Sequence, residues 1–131
     1  MTRHLAIFNK REYIEAILKR EKTIEGRFTK DKIVPFGVIK HGDIILLKLK
    51  GGMVLGQVEV ENVLFYENLT GEIVGKLRKE YSNEIMVDDN FWTQHANARF
   101  ASVIFLNNPK RYLTPLKVVK KDRRPWVVYN D

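Results

Sequence analysis

The feature that most constrains the fold is a pair of glycines, Gly51 and Gly52, between two stretches of strand length. Residues 44–49 form a largely apolar run, and residues 53–66 read as a longer strand weakened by Gly56. A glycine pair is a favoured two-residue link between antiparallel strands. The sequence therefore predicts a β-hairpin at this point, and the rest of the chain must fit around it.

Other segments carry further strand and helix signals. Asn9 with Glu12 three residues later is typical of a capped helix start, followed by apolar residues at helical spacing. Thr70 is a candidate cap for a second helix, and Asp88 or Asp89 for a third. The first helix is predicted at residues 10–21 and the second from residue 70 onward. The third is predicted from Asp88 or Asp89 to about residue 98. The further strands are predicted at residues 5–8, 23–28, 101–106, 112–119 and 126–129.

These elements, five or six short strands with two to three flanking helices, predict an α+β fold built around a small mixed β-barrel. At 131 residues, without a linker or repeat, the chain is expected to be one domain covering residues 1–131. No apolar stretch approaches the roughly 20 residues that span a bilayer, so no membrane association is expected. Neither end resembles an export signal, and we expect a cytoplasmic protein.

Composition removes several kinds of chemistry. The chain has no cysteine, which excludes disulfides, thiol nucleophiles and zinc–thiolate sites. Its three histidines, His4, His41 and His95, show no metal-ligand spacing and are interpreted as structural or solvent-facing. The sequence therefore predicts neither a metal nor a cofactor.

The net charge of +7 is distributed unevenly. Residues 1–50 hold 12 Lys and Arg against 6 Asp and Glu, residues 51–106 hold 4 against 8, and residues 107–131 hold 7 against 2. Two basic segments on one face would attract a polyanion such as RNA. The C-terminal cations, Lys120, Lys121, Arg123 and Arg124, are candidates for phosphate contacts. The alternative is a solvated turn between strands.

The segment with the most chemical content is Lys22-Thr23-Ile24-Glu25-Gly26-Arg27. If it is extended, Thr23, Glu25 and Arg27 point one way and the intervening apolar side chains point to the core. With Lys22 at the rim, these groups would line a cleft that binds a base edge and a phosphate. A partly exposed Glu–Arg pair contributes little to folding, so Glu25→Gln is expected to change Tm by only a few degrees. The alternative is an ordinary exposed edge strand.

Four further residues are weaker candidates. Arg99 follows the third helix and is a candidate to reach this polar row. Phe91, Trp92 and Trp126 are aromatic residues of the kind that stack on bases, although core packing accounts for them as well. Phe91 and Trp92 are adjacent on a helix, so one of them is a candidate to line the cleft.

Residues 17–27, with Lys-Thr-x-Glu-x-Arg at their end, resemble the motif of the ASCH domain family. Residues 42–47 and 56–60 are similar to the next two strands of that family. One departure is Arg20, where many relatives have glycine. The resemblance implies a PUA-like β-barrel and a role in binding RNA or a nucleotide fragment.

One branch of the family hydrolyses N4-acetylcytidine with the pattern Lys-Thr-x-Thr-x-Arg, in which the second Thr is the proposed nucleophile. Here Glu25 stands in the place of that Thr. If the chain is an enzyme, the resemblance implies Lys22, Glu25 and Glu72 as its catalytic groups, with a carboxylate activating water. Three hypotheses follow: an RNA- or nucleoside-binding domain, a hydrolase acting on a modified nucleoside or on RNA, and an adaptor for an acidic protein.

Overall fold

The computed structural model describes residues 1–119 and 122–129. Six strands form one curled sheet, a half-barrel, with three helices outside it. In these residues no helix has the length and apolar character needed to span a membrane. In chain order the elements are β1 Arg3–Phe8, α1 Arg11–Leu18, β2 Ile24–Thr29, β3 Ile44–Leu49, β4 Val54–Glu67, α2 Gly71–Ile85, α3 Asp89–Gln94, β5 Phe100–Leu116 and β6 Trp126–Tyr129.

The strand order across the sheet is β2-β5-β4-β3-β1-β6. β1 and β3 run parallel, and the other neighbours are antiparallel. The predicted hairpin is present between β3 and β4, and Gly51 there adopts φ +71°, a conformation that favours glycine. The expected α+β fold, a small mixed β-barrel of five to six strands with two to three flanking helices, is thus confirmed, and the sheet is a half-barrel.

Both helix caps that were predicted beyond residue 60 are present. The side chain of Thr70 accepts a hydrogen bond from the backbone N–H of Ile73 at 3.3 Å, at the start of α2. Asp88 accepts one from the N–H of Phe91 at 3.0 Å and begins α3. These bonds satisfy backbone donors that the first helical turn leaves unpaired.

Two local predictions were wrong. Asn9 does not cap α1: the cap position is Lys10, which makes no side-chain capping bond, and α1 ends at Leu18 because Arg20 turns into the left-handed region at φ 64°. The strands expected at residues 101–106 and 112–119 are one continuous strand, β5, with irregular pairing to β4. Asn108, at φ 49°, accommodates the irregularity without ending the strand.

The sheet separates two apolar cores, and the apolar side chains of β2 belong to one of them. Ile24 and Phe28 pack with α2, α3 and the adjoining face of β5 in the outer core. The inner core fills the half-barrel beneath α1, with Phe8 and Trp126 among its members. Because alternate side chains of a strand point to opposite faces, Glu25 and Arg27 are directed away from the outer core.

A buried polar group joins the two ends of the chain. The Nε2 atom of His4 lies 2.9 Å from Oδ2 of Asp43, and Nε1 of Trp126 donates to Nδ1 of His4 at 3.0 Å. An indole N–H can only donate, so Nδ1 of His4 is the acceptor. Nε2 of His4 then carries the hydrogen and donates a hydrogen bond to Asp43. His4 is therefore a structural residue, as expected.

The outer part of β5 extends beyond its partner β2. Residues 100–105 pair with β2, whereas within the described chain residues 107–116 pair only with β4. A Cβ on Gly56 would lie 2.5 Å from the carbonyl oxygen of Lys110 and 2.9 Å from Leu18, so only glycine lets β4 approach both so closely. Gly56, predicted to weaken the strand, instead allows β5 and α1 to pack against it.

Candidate functional site

Lys22, Glu25 and Arg27 form a connected ionic group at the start of β2. Nζ of Lys22 lies 3.1 Å from Oε1 of Glu25, and Nε of Arg27 donates to Oε2 at 2.7 Å. Lys22 also donates to the carbonyl oxygen of Ile85 at the end of α2. Lys22 is only 1% exposed and Glu25 7%. The expectation that Lys22 lies at the rim of a cleft was therefore wrong: it is buried behind Glu25.

The two cations determine the charge of the carboxylate. Burial alone would raise the pKa of Glu25, but the charges of Lys22 and Arg27 and their hydrogen bonds outweigh it and hold the pKa below its ordinary value of 4.5. Glu25 is thus a fixed anion whose two oxygens are already oriented. An ionised carboxylate has lone pairs for further donors, so a ligand N–H can still bind to it.

Arg27 connects β2 with the opposite side of the half-barrel. Its Nη2 donates to the carbonyl oxygen of Ile7 at 3.1 Å, and Nη1 lies 3.5 Å from that of Pro125. Its Cζ is 5.1 Å from the centre of the Phe8 ring and 5.0 Å from that of Trp126. The guanidinium is therefore held between aromatic rings by cation–π contacts, and its plane is fixed.

A cleft of about 860 Å³ opens over Glu25 and Arg27. Its walls come from the β1–α1 turn, the face of β2, the β3–β4 hairpin, α3 with the residues before it, and the segment preceding β6. Its cations are Lys10, Arg27, Lys48, Lys50, Arg123 and Arg124. Its aromatic residues are Phe8, Tyr13, Phe28, Phe91 and His95.

The sequence-predicted residues divide between this cleft and other surfaces. Glu25, Arg27, Arg123 and Arg124 line it, whereas the exposed Thr23 does not. Lys120 and Lys121 lie outside the described residues. Arg124 is paired with Asp122, which also lines the cleft.

Two residues predicted for the site lie elsewhere. Arg99 lines a separate depression of about 400 Å³ beside the start of α2, although its backbone N–H donates to the carbonyl oxygen of Thr29 at the end of β2 at 2.9 Å. Glu72 lies in the first turn of α2 with its side chain 81% exposed, 3.8 Å from Lys76. The expectations that Arg99 reaches the polar row and that Glu72 acts beside Glu25 were therefore wrong.

The structure also shows which of the candidate aromatic residues line the cleft. Trp92 and Trp126 are buried in the two cores, so neither is available to a base. Phe91 lines the cleft, with its ring centre 4.3 Å from that of His95. The expectation that one of the adjacent pair Phe91 and Trp92 faces the cleft is confirmed.

Sequence reasoning missed Lys10, Tyr13, Lys48 and His95. Tyr13 lies on the face of α1 toward the cleft, and its hydroxyl accepts a hydrogen bond from the N–H of Asp88 at 3.4 Å. The signal that could have identified Lys48 is that it is a charged residue within the otherwise apolar run of residues 44–49. In the described chain no group of three or more His, Asp or Glu side chains is placed to hold a metal ion.

Comparison with known proteins places this architecture in a family. The ASCH domain profile matches residues 8–97 of the chain. The solved ASCH protein of Zymomonas mobilis superposes with a TM-score of 0.68 at 15% identity, over 88% of this chain and 73% of that one. The hypothetical protein PH0355 superposes with a TM-score of 0.52 at 25% identity, over 80% of this chain and 97% of that one.

A likeness at 15% identity establishes the fold and not the activity. A search of functionally curated proteins found no match. The family assignment therefore depends on the profile match, which spans more than half of the chain, and the fold agrees with it. On that match, the chain belongs to the ASCH domain family.

Proposed function

We propose that this protein binds single-stranded RNA, or a nucleotide unit of it, in the cleft over Glu25 and Arg27. The observation that carries the proposal is the combination, in one cleft, of a fixed carboxylate–guanidinium pair, a partly exposed aromatic side wall and several cations. A volume of about 860 Å³ falls within the range of small-molecule sites, roughly 300–1,000 Å³.

Each part of the cleft suits one part of a nucleotide. Glu25 presents oriented oxygens to amino or imino groups of a base edge, and Arg27 has further N–H groups for a carbonyl or phosphate oxygen. Phe91 and His95 offer a surface on which a base can stack. Lys50, Arg123 and Arg124 supply charge to phosphates.

The test is RNA binding by wild type and a Phe91→Ala variant, measured by fluorescence anisotropy with short single-stranded oligonucleotides at several salt concentrations. Loss of one base stack weakens binding by about 5- to 150-fold. Wild-type affinity should fall as salt rises, because phosphate contacts release counterions.

The matched control is Phe65→Ala. Phe65 is a partly exposed aromatic residue of β4 that stacks on Phe36, and it does not line the cleft. The control should bind as wild type does. Equal affinity of Phe91→Ala and wild type would contradict the proposal, as would binding of an acidic protein but not RNA, which would favour the adaptor hypothesis.

The hydrolase hypothesis receives less support from this geometry. Glu25 stands where the acetylcytidine hydrolases carry a hydroxyl, so the same acyl intermediate cannot form. Its pKa is held below 4.5 by Lys22 and Arg27 against the effect of burial, which makes it a weak base at neutral pH. Glu72 is too exposed and too distant from the cleft to assist.

We therefore expect no release of acetate from N4-acetylcytidine. Chromatography of the nucleoside product measures the reaction. Turnover of about 1 per second, an ordinary enzymatic rate, would contradict this expectation. It would do so decisively if Lys22→Met, shown to be folded, abolished the turnover.

A further inference from the structure

Lys48 is a buried cation that faces the cleft. It belongs to β3, lines the cleft and is 7% exposed. The pairing register with β4 shifts between Leu47, which lies opposite Gly56, and Lys48, which lies opposite Val54. The register shift in β3 therefore lies directly before its charged residue, Lys48.

The surroundings do not neutralise this charge. Nζ of Lys48 donates to the carbonyl oxygen of Leu49 at 3.2 Å, and no carboxylate of residues 1–119 or 122–129 forms an ion pair with it. Lys22, which is buried to a similar degree, has both Glu25 and a backbone carbonyl. An ammonium has three donors, so Lys48 retains hydrogen-bonding capacity as well as charge. A buried cation left in this state costs free energy unless a partner completes it.

The neighbourhood of Lys48 favours an anionic partner. Lys50 follows it on the same hairpin, lines the cleft, and donates its backbone N–H to the carbonyl oxygen of Phe8 at 2.9 Å. Ile7, the register partner of Lys48 on β1, donates its backbone N–H to the carbonyl oxygen of Pro125 at 3.0 Å, which brings the segment with Arg123 to this side. The other cleft cations Lys10, Arg27 and Arg124 already have carboxylate partners.

We propose that Lys48 binds a phosphate group of the nucleotide held in the cleft, with Lys50 beside it. This inference rests on the proposed function and adds the position and chemistry of one subsite. The phosphate is either a terminal monoester or a diester within a strand, since both present anionic, non-bridging oxygens that accept hydrogen bonds from an ammonium.

The experiment compares three sets of probes by isothermal titration calorimetry: the four ribonucleosides, their 5′- and 3′-monophosphates, and a dinucleotide. Wild type should bind at least one phosphorylated probe about tenfold or more tightly than its nucleoside, the gain typical of hydrogen bonds to a charged group. Lys48→Met should remove that gain, so that the phosphorylated probe and its nucleoside bind this variant with similar affinity. The probe that shows the gain distinguishes a monoester from a diester.

Lys76→Met is the matched control, because it removes one lysine charge from the exposed face of α2 outside the cleft. It should keep the gain, and Lys48→Arg should keep most of it. Folding of Lys48→Met is checked by thermal melting. As a second measurement in the wild type, inorganic phosphate should shift the backbone NMR signals of Lys48 and Leu49.

The outcomes separate the two proposals. A phosphate gain that survives in Lys48→Met, or no gain in wild type that binds nucleosides, overturns this inference and leaves the proposed function standing. Phosphate-dependent shifts at Lys48 without binding of any nucleoside or RNA support the anion subsite and overturn the proposed function. Binding of no probe, inorganic phosphate included, overturns both.

Discussion

Glu25→Gln is expected to lower the free energy of unfolding by about 3–5 kcal/mol, the usual cost of removing one partner from a buried ion pair. The substitution leaves Lys22, 1% exposed, with a carbonyl oxygen but no anion. It also weakens the hydrogen bond that orients Arg27. Urea unfolding at pH 7 measures the change, and Tm should fall by roughly 10 °C or more.

The neighbouring Glu21→Gln is the matched control, because Glu21 is exposed just before β2. It should change the unfolding free energy by no more than about 0.5 kcal/mol. Adding Lys22→Met to Glu25→Gln should restore part of the stability, since the unpaired cation is then removed as well. If the Glu25→Gln and Glu21→Gln variants have the same Tm, the ionic group is solvated and its structural role is refuted. Because Glu25 is 7% exposed, this large effect replaces the change of a few degrees in Tm that a partly exposed pair would give.

The same group predicts how stability depends on pH. The pKa of Glu25 is lower when folded than its ordinary value of 4.5, because the charges of Lys22 and Arg27 outweigh burial. The stabilisation is therefore complete above about pH 4.5 and is lost as the pH falls through the folded pKa. In the Glu25→Gln variant, that part of the acid-dependent loss should be absent.

Asp43→Ala is the second variant expected to have a large effect, with a loss of about 3–5 kcal/mol. Asp43 is 1% exposed and accepts hydrogen bonds from His4 and from the backbone N–H groups of Thr2 and Lys40. Alanine leaves all three donors without their acceptor in a buried site, and each such donor costs about 1–3 kcal/mol. Thermal and urea unfolding measure the loss.

Asp31→Ala provides the control, because Asp31 is exposed and, among residues 1–119 and 122–129, only its backbone carbonyl forms a hydrogen bond, which it accepts from the Thr29 hydroxyl. Asp43→Asn should fall between control and alanine, since it keeps one acceptor oxygen. Burial alone would raise the pKa of Asp43, but hydrogen bonds from His4, Thr2 and Lys40 hold it below 3.8, so this stabilisation too is lost only in strong acid. An Asp43→Ala variant as stable as Asp31→Ala would show that the buried network contributes nothing.

The strand alternation of residues 24–28 could be read from the sequence because a period of two assigns each side chain to a face. It correctly directed Glu25 and Arg27 away from Ile24 and Phe28. It could not show that their own face is enclosed, because the carbonyl oxygens that hold Arg27 belong to Ile7 and Pro125, 20 and 98 residues away in the chain. For that reason the burial of Glu25 was missed.

The errors in the site have a similar origin. Lys22 follows a helix that ends three residues earlier than predicted, and the turn at Arg20 carries the lysine beneath β2. The positions of Arg99 and Glu72 relative to the cleft depend on how α2 and α3 pack against the sheet. No local sequence pattern contains that information. Lys48 lies within an apolar run, and its position at the cleft follows from its pairing with Ile7 of β1, which also lines the cleft.

The projecting part of β5 also bears on how the protein behaves at high concentration. A strand whose edge is unpaired invites a strand from another molecule, the usual route to aggregation. On residues 107–116 this edge contains Pro109 and Pro115, which have no N–H to donate, and the charged Lys110 and Arg111. Leu113, although fully exposed, thus stands on an edge that is a poor template for another strand, and the length of β5 need not reduce solubility.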